Sequence, residues 1–92
     1  MIKSFKHKGL KRLFEKGLAS GVDPQHVERL RKILALLETS ESIEDMNLLG
    51  LNLHNLKGKR KNILAVKVRG YWRVTFKIKD GDILEVNYED YH

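Results

Sequence analysis

The second half of the chain alternates apolar and polar residues with the two-residue period that is typical of β-strands. Every second residue from Trp72 to Ile78 is apolar, and the pattern predicts three antiparallel strands between Asn62 and Tyr88. The predicted core face of the middle strand consists of Trp72, Val74, Phe76 and Ile78, and its open face of Tyr71, Arg73, Thr75 and Lys77. The third strand is expected to bury Leu84, Val86 and Tyr88. Arg73 therefore sits in the middle of the middle strand, on the face that the core does not use.

Two turns and one short edge segment complete the predicted sheet. Asp80-Gly81 is the dipeptide that favours a type I′ hairpin turn, because that turn needs positive φ at both central residues. Gly70 separates the first two strands. The stretch from Ile2 to Phe5 is predicted to form a brief strand at a sheet edge.

The first half of the chain has helical periodicity instead. The first helix is predicted from Lys8, and glycines at 17 and 21 mark its end. The second helix begins at Asp23-Pro24, with aspartate as N-cap and proline at the first helical position, and ends near Thr39. A third, short helix is predicted over 42–49 with Ser42 as its cap. The predicted buried stripes are Leu10, Leu13, Phe14 and Leu18 in the first helix, and Val27, Leu30, Ile33, Leu34 and Leu37 in the second.

Helices followed by strands indicate the α+β class. A chain of 92 residues is long enough for one domain, 1–92, with a modest core and no covalent staples. We expect a small curved antiparallel sheet with the two N-terminal helices packed on one face. The opposite face, which carries Arg73, would then be partly open.

The charge balance is the first indication of a partner. Lysine and arginine total 18 against 12 acidic residues, a net charge of +6. A domain this basic is attracted to phosphate polymers, although many small basic proteins have no such partner. The absence of cysteine excludes disulfides and thiolate metal sites and fits a reducing cytoplasm. No apolar run approaches the length of a membrane span, and no paired-histidine motif indicates a metal hydrolase. We expect no metal and no cofactor.

Two groups of residues are candidates for chemistry. A basic loop supplies possible phosphate contacts, with a solvated loop as the alternative; its members are His54, Lys57, Lys59, Arg60 and Lys61. The chain ends in Asp90, Tyr91 and His92, groups that can move protons, with a polar tail as the alternative. If the last strand lies beside the middle strand, these groups are expected to reach the surface that carries Arg73.

Such a set suits metal-free RNA cleavage. A base removes the proton of a 2′-hydroxyl, the oxygen attacks the adjacent phosphorus, and an acid protonates the leaving 5′-oxygen. His54 or His92 could serve as base or acid, with Asp90 orienting or sharing the proton. Lys57 and Arg73 could hold the phosphate, and Tyr91 could stack on a base.

With these residues the chain resembles the RelE-type toxins of bacterial toxin–antitoxin modules, in particular the HigB branch. The resemblance covers essentially the whole chain. Its specific parts are the segments 54–60 (HNLKGKR) and 68–76 (VRGYWRVTF) and the terminal Asp90-Tyr91-His92.

The resemblance implies an mRNA interferase, a ribosome-dependent endoribonuclease that cuts mRNA in the A site and arrests translation. The alternative is a basic module that binds RNA or the ribosome and blocks translation without cleavage. The implied partners are a HigA-type helix-turn-helix antitoxin and the ribosome with mRNA in its A site. Operator DNA would be bound only through the antitoxin, and no membrane partner is implied. The implied catalytic residues are His54, Lys57, Arg73, Asp90, Tyr91 and His92. Further expected RNA or phosphate contacts are Lys59, Arg60, Lys61, Arg69 and Lys77.

Overall fold

The computed structural model describes residues 1–48, 51, 53–56, 58 and 62–90. This part of the chain forms helices and one antiparallel sheet with the strand order β1-β2-β3-β4, so the predicted α+β class is confirmed. The helical elements are α1 (Lys8–Lys16), a 3-10 helix (Pro24–His26), α2 (Val27–Thr39) and α3 (Ile43–Leu48). The strands are β1 (His54–Asn55), β2 (Leu64–Arg69), β3 (Trp72–Lys79) and β4 (Asp82–Asp90).

Helix α1 is fixed at both ends by local contacts. The Nδ1 atom of His7 accepts a hydrogen bond from the Leu10 amide at 3.0 Å, and Gly17 ends the helix in the left-handed conformation with φ of 69°. Because the helix ends there, Leu18 lies outside it and is 53% exposed. The prediction that Leu18 belongs to the buried stripe is therefore wrong, whereas Leu10 and Leu13 are buried as expected.

The predicted caps Asp23 and Ser42 are both formed, but α2 itself begins at Val27, three residues later than predicted. Asp23 Oδ1 accepts a hydrogen bond from the Gln25 amide at 2.9 Å, and Pro24 opens a 3-10 turn that continues into α2. Ser42 Oγ accepts one from the Asp45 amide at 3.1 Å and caps α3. The end predicted for α3 at residue 49 lies outside the described residues. The buried stripe of α2 is confirmed for Leu30, Ile33, Leu34 and Leu37.

The core lies between the helices and one face of the sheet. Val74 and Phe76 of β3 are fully or almost fully buried, and Leu64 and Val66 of β2 pair with them across the ladder. Trp72 and Ile78 are half-buried and pack against the same cluster. The predicted hairpin turn is also confirmed, since Asp80 and Gly81 have φ of 52° and 82°.

Strand β4 departs from the predicted alternation at a β-bulge. Thr75 pairs with Asn87 but Lys77 pairs with Leu84, so the ladder shifts between them, and Glu85 adopts a φ of 54°. A bulge adds one residue to a strand and moves the following side chains to the other face. Ile83 is consequently buried in the core, Leu84 is only half-buried, and the prediction that Leu84 belongs to the core is wrong.

The N-terminal segment lies along the outer edge of β4, as predicted, but as two isolated parallel bridges rather than a continuous strand. Ile2 bridges Ile83, and Phe5 bridges Val86. Between the bridges, Ser4 Oγ accepts a hydrogen bond from the Glu85 amide at 2.8 Å. The bulge interrupts the ladder here, and the serine side chain satisfies the amide that it turns outward.

Within the described residues, no helix combines the length and the apolar character needed to cross a membrane.

Candidate nucleic-acid interface

Arg73 lies at the centre of a row of charged residues that crosses three strands. Its Cα partners are Lys67 on β2 and Glu89 on β4. Directly opposed residues of antiparallel strands project from the same side of a sheet. Because Val74 faces the helices, this row lies on the opposite face, as predicted for Arg73. We call this face of the sheet, opposite the helices, the Arg73 face.

The guanidinium of Arg73 is held against the preceding turn. Its Nη1 atom donates hydrogen bonds to the carbonyl oxygens of Gly70 and Trp72, at 2.8 and 3.1 Å. The side chain is half-buried, so these contacts limit its rotamers. A guanidinium fixed in this way is suited to bind an oxyanion with its remaining N–H groups.

His54 lies on the Arg73 face, in the neighbouring row. The register pairs His54 with Ala65, Ala65 with Thr75, and Thr75 with Asn87. His54 is exposed on the edge strand β1. It is two strands from β3, which corresponds to about 10 Å at the usual strand spacing. The structure therefore brings His54 and Arg73 to one face without placing their side chains in contact.

The centre of this face is less open than predicted. Thr75 is only 2% exposed, and its Oγ1 donates a hydrogen bond to Glu89 Oε2 at 2.7 Å. Asn87 Nδ2 donates to the same oxygen at 3.3 Å. The expectation that Thr75 lies on an open face is wrong, because Thr75 forms the floor on which Glu89 is anchored.

Asp90 and Arg69 lie on the other side of the sheet. Both have Trp72 as their Cα partner, and Trp72 stacks on the buried Tyr88 with ring centroids 4.6 Å apart. Arg69 Nη1 also reaches Gln25 Oε1 at 3.5 Å, near the start of α2. The expectation that Asp90 reaches the surface that carries Arg73 is therefore wrong, since adjacent strand residues point to opposite faces.

Lys77 lies on the Arg73 face but is paired with an acidic residue. Its Nζ atom is 2.9 Å from Glu85 Oε2, and Lys6 Nζ is 3.8 Å from Glu85 Oε1. The hydrogen bond and positive charge of Lys77, followed by those of Lys6, lower the pKa of Glu85. A phosphate that binds Lys77 would have to compete with this exposed ion pair.

The remaining predicted site residues lie outside the described residues: Lys57, Lys59, Arg60, Lys61, Tyr91 and His92.

Two residues of the Arg73 face were missed by the sequence reasoning, namely Lys67 and Glu89. Both are charged residues that alternate with core residues along a strand. Charged residues commonly occupy the exposed face of a strand, so this pattern alone does not indicate a functional site. Their position beside Arg73 depends on the strand register, and two bulges alter that register, between Lys67 and Arg69 and between Thr75 and Lys77.

A buried aromatic cluster supports the end of β4 from the helix side. The hydroxyl of Tyr88 is hydrogen-bonded to Nδ1 of His26, and both residues are less than 10% exposed. Burial raises the pKa of the Tyr88 phenol. His7 packs edge-on against the Tyr88 ring, with centroids 5.3 Å apart, and burial lowers the pKa of the His7 imidazole. These two histidines are structural, since they fix the strand that precedes the terminal residues.

Metal binding would need several ligands at one place. Within the part of the chain that the structure describes, no three histidine, aspartate or glutamate side chains are grouped to hold a metal ion.

The comparison with protein families identifies the class. The model of the HigB-like toxins, described as the RelE-like toxin of type II toxin-antitoxin system HigB, matches residues 3–92. The chain therefore belongs to the HigB-like toxin family, and membership implies an antitoxin as partner.

Similar individual proteins extend this result. The chain is 50% identical over 92 residues to "Endoribonuclease HigB" of Proteus vulgaris, with all of both chains covered. Among solved structures, it is similar to the solution structure of a conserved hypothetical protein from Helicobacter pylori. That likeness has a TM-score of 0.45 and 22% identity, and it covers 97% of this chain and 96% of the other.

Proposed function

We propose that this toxin is a ribosome-dependent mRNA endoribonuclease, metal-independent, that cuts mRNA in the ribosomal A site and so arrests translation. The observation that carries the proposal is the identity of 50%, over the full length of both chains, to a protein named as an endoribonuclease. The fixed arginine of the Arg73 face supports it, because RNA cleavage needs a cation at the scissile phosphate. The whole chain, 1–92, acts as a single toxin domain in this proposal.

Arg73 is the described residue best placed to bind the scissile phosphate. Its guanidinium can form two parallel hydrogen bonds to phosphate oxygens and stabilise the charge that grows on them in the transition state. Lys67 lies beside it in the same row and adds a second positive charge. In this proposal Lys57 contributes a further cation, and the basic residues of the loop and of β2 and β3 hold the flanking phosphates.

Proton transfer is assigned by residue type. His54 or His92 acts as base or acid, because imidazole gains and loses a proton near neutral pH. Tyr91 stacks on a base of the codon. Since Asp90 has its register partner on the Trp72 side, its contribution would be to orient the terminal residues rather than to contact the phosphate at Arg73.

The partners follow from the same proposal. A HigA-type antitoxin with a helix-turn-helix domain neutralises the toxin and represses the shared operon, so operator DNA is met only through the antitoxin. The toxin acts in the cytoplasm on ribosomes. Its net charge of +6 favours association with ribosomal RNA.

The proposal is tested by mapping the 5′ and 3′ ends of mRNA on translating ribosomes after addition of wild-type toxin or Arg73→Ala. Cuts at A-site codons are expected with wild type, and their loss is expected in the variant. Lys79→Ala is the matched control, because it removes a cation from the other end of the same strand, where Lys79 is exposed. It should cut like wild type.

Other outcomes of this experiment separate the alternatives. Stalled ribosomes carrying uncut mRNA would refute cleavage and support a module that only binds. Wild-type protein without effect on translation would indicate an inactive relative. Cutting by Arg73→Ala at the wild-type rate would refute the role given to the arginine.

A further inference from the structure

The carboxylate of Glu89 is a neighbour of Arg73 on the face proposed for catalysis. The two residues are Cα partners across β3 and β4. Directly opposed residues have Cβ atoms about 4.5–5.5 Å apart, so both side chains leave the sheet from neighbouring points of the Arg73 face. Asp90, the acidic residue that the sequence favours, is one position further along and lies on the opposite side of the sheet. Glu89 is therefore the carboxylate that the register places beside the cations.

Two hydrogen bonds fix the orientation of this carboxylate. Thr75 Oγ1 donates to Oε2 at 2.7 Å, and Asn87 Nδ2 donates to the same oxygen at 3.3 Å. Thr75 is 2% exposed, so this donor sits in the floor of the sheet and is rigid. Glu89 itself is half-buried, which leaves part of the side chain accessible from the Arg73 face. A glutamate that only improved solubility would not need two side-chain donors on one oxygen.

We propose that Glu89 is a catalytic residue, the general base of the RNA cleavage step. The inference rests on the proposed endoribonuclease activity and assigns to it a group that the sequence analysis left out. The carboxylate takes the proton of the 2′-hydroxyl and becomes a carboxylic acid. The 2′-oxygen forms a bond to the adjacent phosphorus, the bond from phosphorus to the 5′-oxygen breaks, and the departing oxygen takes a proton from a general acid. The products are a 2′,3′-cyclic phosphate and a 5′-hydroxyl.

The surrounding charges make this assignment electrostatically consistent. A carboxylate repels a phosphodiester, but Arg73 and Lys67 occupy the same row and provide two positive charges against one negative charge. In this arrangement the cations bind the phosphate, and the carboxylate accepts the proton of the neighbouring 2′-hydroxyl. The assignment also leaves a histidine for the acid role, so base and acid are supplied by different groups.

The test compares Glu89→Gln with wild type in single-turnover cleavage of mRNA on purified, programmed ribosomes. Glutamine keeps the size of the side chain and an oxygen that can accept hydrogen bonds, but it cannot take the proton. We expect the cleavage rate to fall about 100-fold or more, the usual contribution of a general base, while binding to ribosomes and the melting temperature stay close to wild type. Asp82→Asn, at the far end of β4, removes the same charge from the same strand and should cut like wild type.

The outcomes are distinguishable. If wild-type protein produces no new RNA ends, the proposed function fails, whatever Glu89 does. If wild type cuts to give 2′,3′-cyclic phosphate ends and Glu89→Gln cuts at the same rate, the endoribonuclease stands and Glu89 is not the base. If Glu89→Gln does not fold, Glu89→Ala decides, because it removes the carboxylate altogether. A folded Glu89→Ala that cuts at the wild-type rate would overturn the assignment, and a folded Glu89→Ala that binds ribosomes but has lost cleavage would support it.

Discussion

The buried hydrogen bond between Tyr88 and His26 permits a quantitative prediction for Tyr88→Phe. Phenylalanine keeps the ring that stacks on Trp72 with centroids 4.6 Å apart, and it removes only the hydroxyl. The hydroxyl is the hydrogen-bond partner of His26 Nδ1, and His26 is 4% exposed, so water does not readily replace it. Leaving a buried polar atom unsatisfied costs about 1–3 kcal/mol. For a domain of this size each kcal/mol lowers the melting temperature by about 4–8 °C.

The assay is urea and thermal unfolding of wild type, Tyr88→Phe and Tyr71→Phe. The second variant is the matched control, because Tyr71 is 60% exposed and the loss of an exposed hydroxyl should change stability by less than about 0.5 kcal/mol. A double-mutant cycle with His26→Leu should give a coupling energy of about 0.5–3 kcal/mol. Equal stability of the two tyrosine variants, or a coupling energy of zero, would show that the hydrogen bond does not stabilise the fold.

Three further predictions concern the core, one cap and one close contact. Ile83→Ala should cost about 2–5 kcal/mol and Leu84→Ala clearly less, measured by urea unfolding; the reverse order would contradict the bulge. Burial lowers the pKa of His7 below 6.5 and its Nδ1 caps α1, so the folded state binds fewer protons than the unfolded chain. Stability should therefore fall as the pH falls below about 6.5, which melting curves at a series of pH values would measure. If His7→Asn shows the same loss of stability, protonation of His7 is not its cause. Gly9→Ala should be strongly destabilising in thermal unfolding, because a Cβ there would lie 2.4 Å from the Gly21 carbonyl oxygen; a wild-type melting temperature would exclude so close a contact.

Local chemistry explains which parts of the fold could be predicted from the sequence. Asp80-Gly81 adopts the predicted turn and Asp23-Pro24 the predicted helix start, because each depends on the backbone preferences of two adjacent residues. The core face of β3 was likewise predicted, since the two-residue alternation is a property of the strand itself. Leu18 was misplaced because the helical spacing of apolar residues continues past Gly17, where the helix ends.

The candidate site was less predictable because it depends on pairing between strands. Arg73 was found from its place in one strand. Glu89 was missed and Asp90 was put on the wrong face, although the alternation of the buried Val86 and Tyr88 already places Glu89 on the Arg73 face and Asp90 on the core face. The pairing of Glu89 with Arg73, by contrast, depends on the bulge at Glu85. That bulge is stabilised in turn by Ser4, 81 residues earlier in the chain. A contact of this length leaves no trace in the local sequence pattern.

The N-terminal segment on β4 also has a consequence for how the protein assembles. Met1 and Ser4 accept backbone hydrogen bonds from Ile83 and Val86, and these contacts cover the edge of the strand that carries Glu89. Contacts between distant parts of a chain form late, because closing a long loop costs entropy before the contact is gained. A newly made chain therefore holds an unpaired strand edge until its two ends meet, and such an edge can pair with a neighbouring chain. The residues around Ser4 thus cover an edge through which two chains could pair, and they also fix the geometry of the strand.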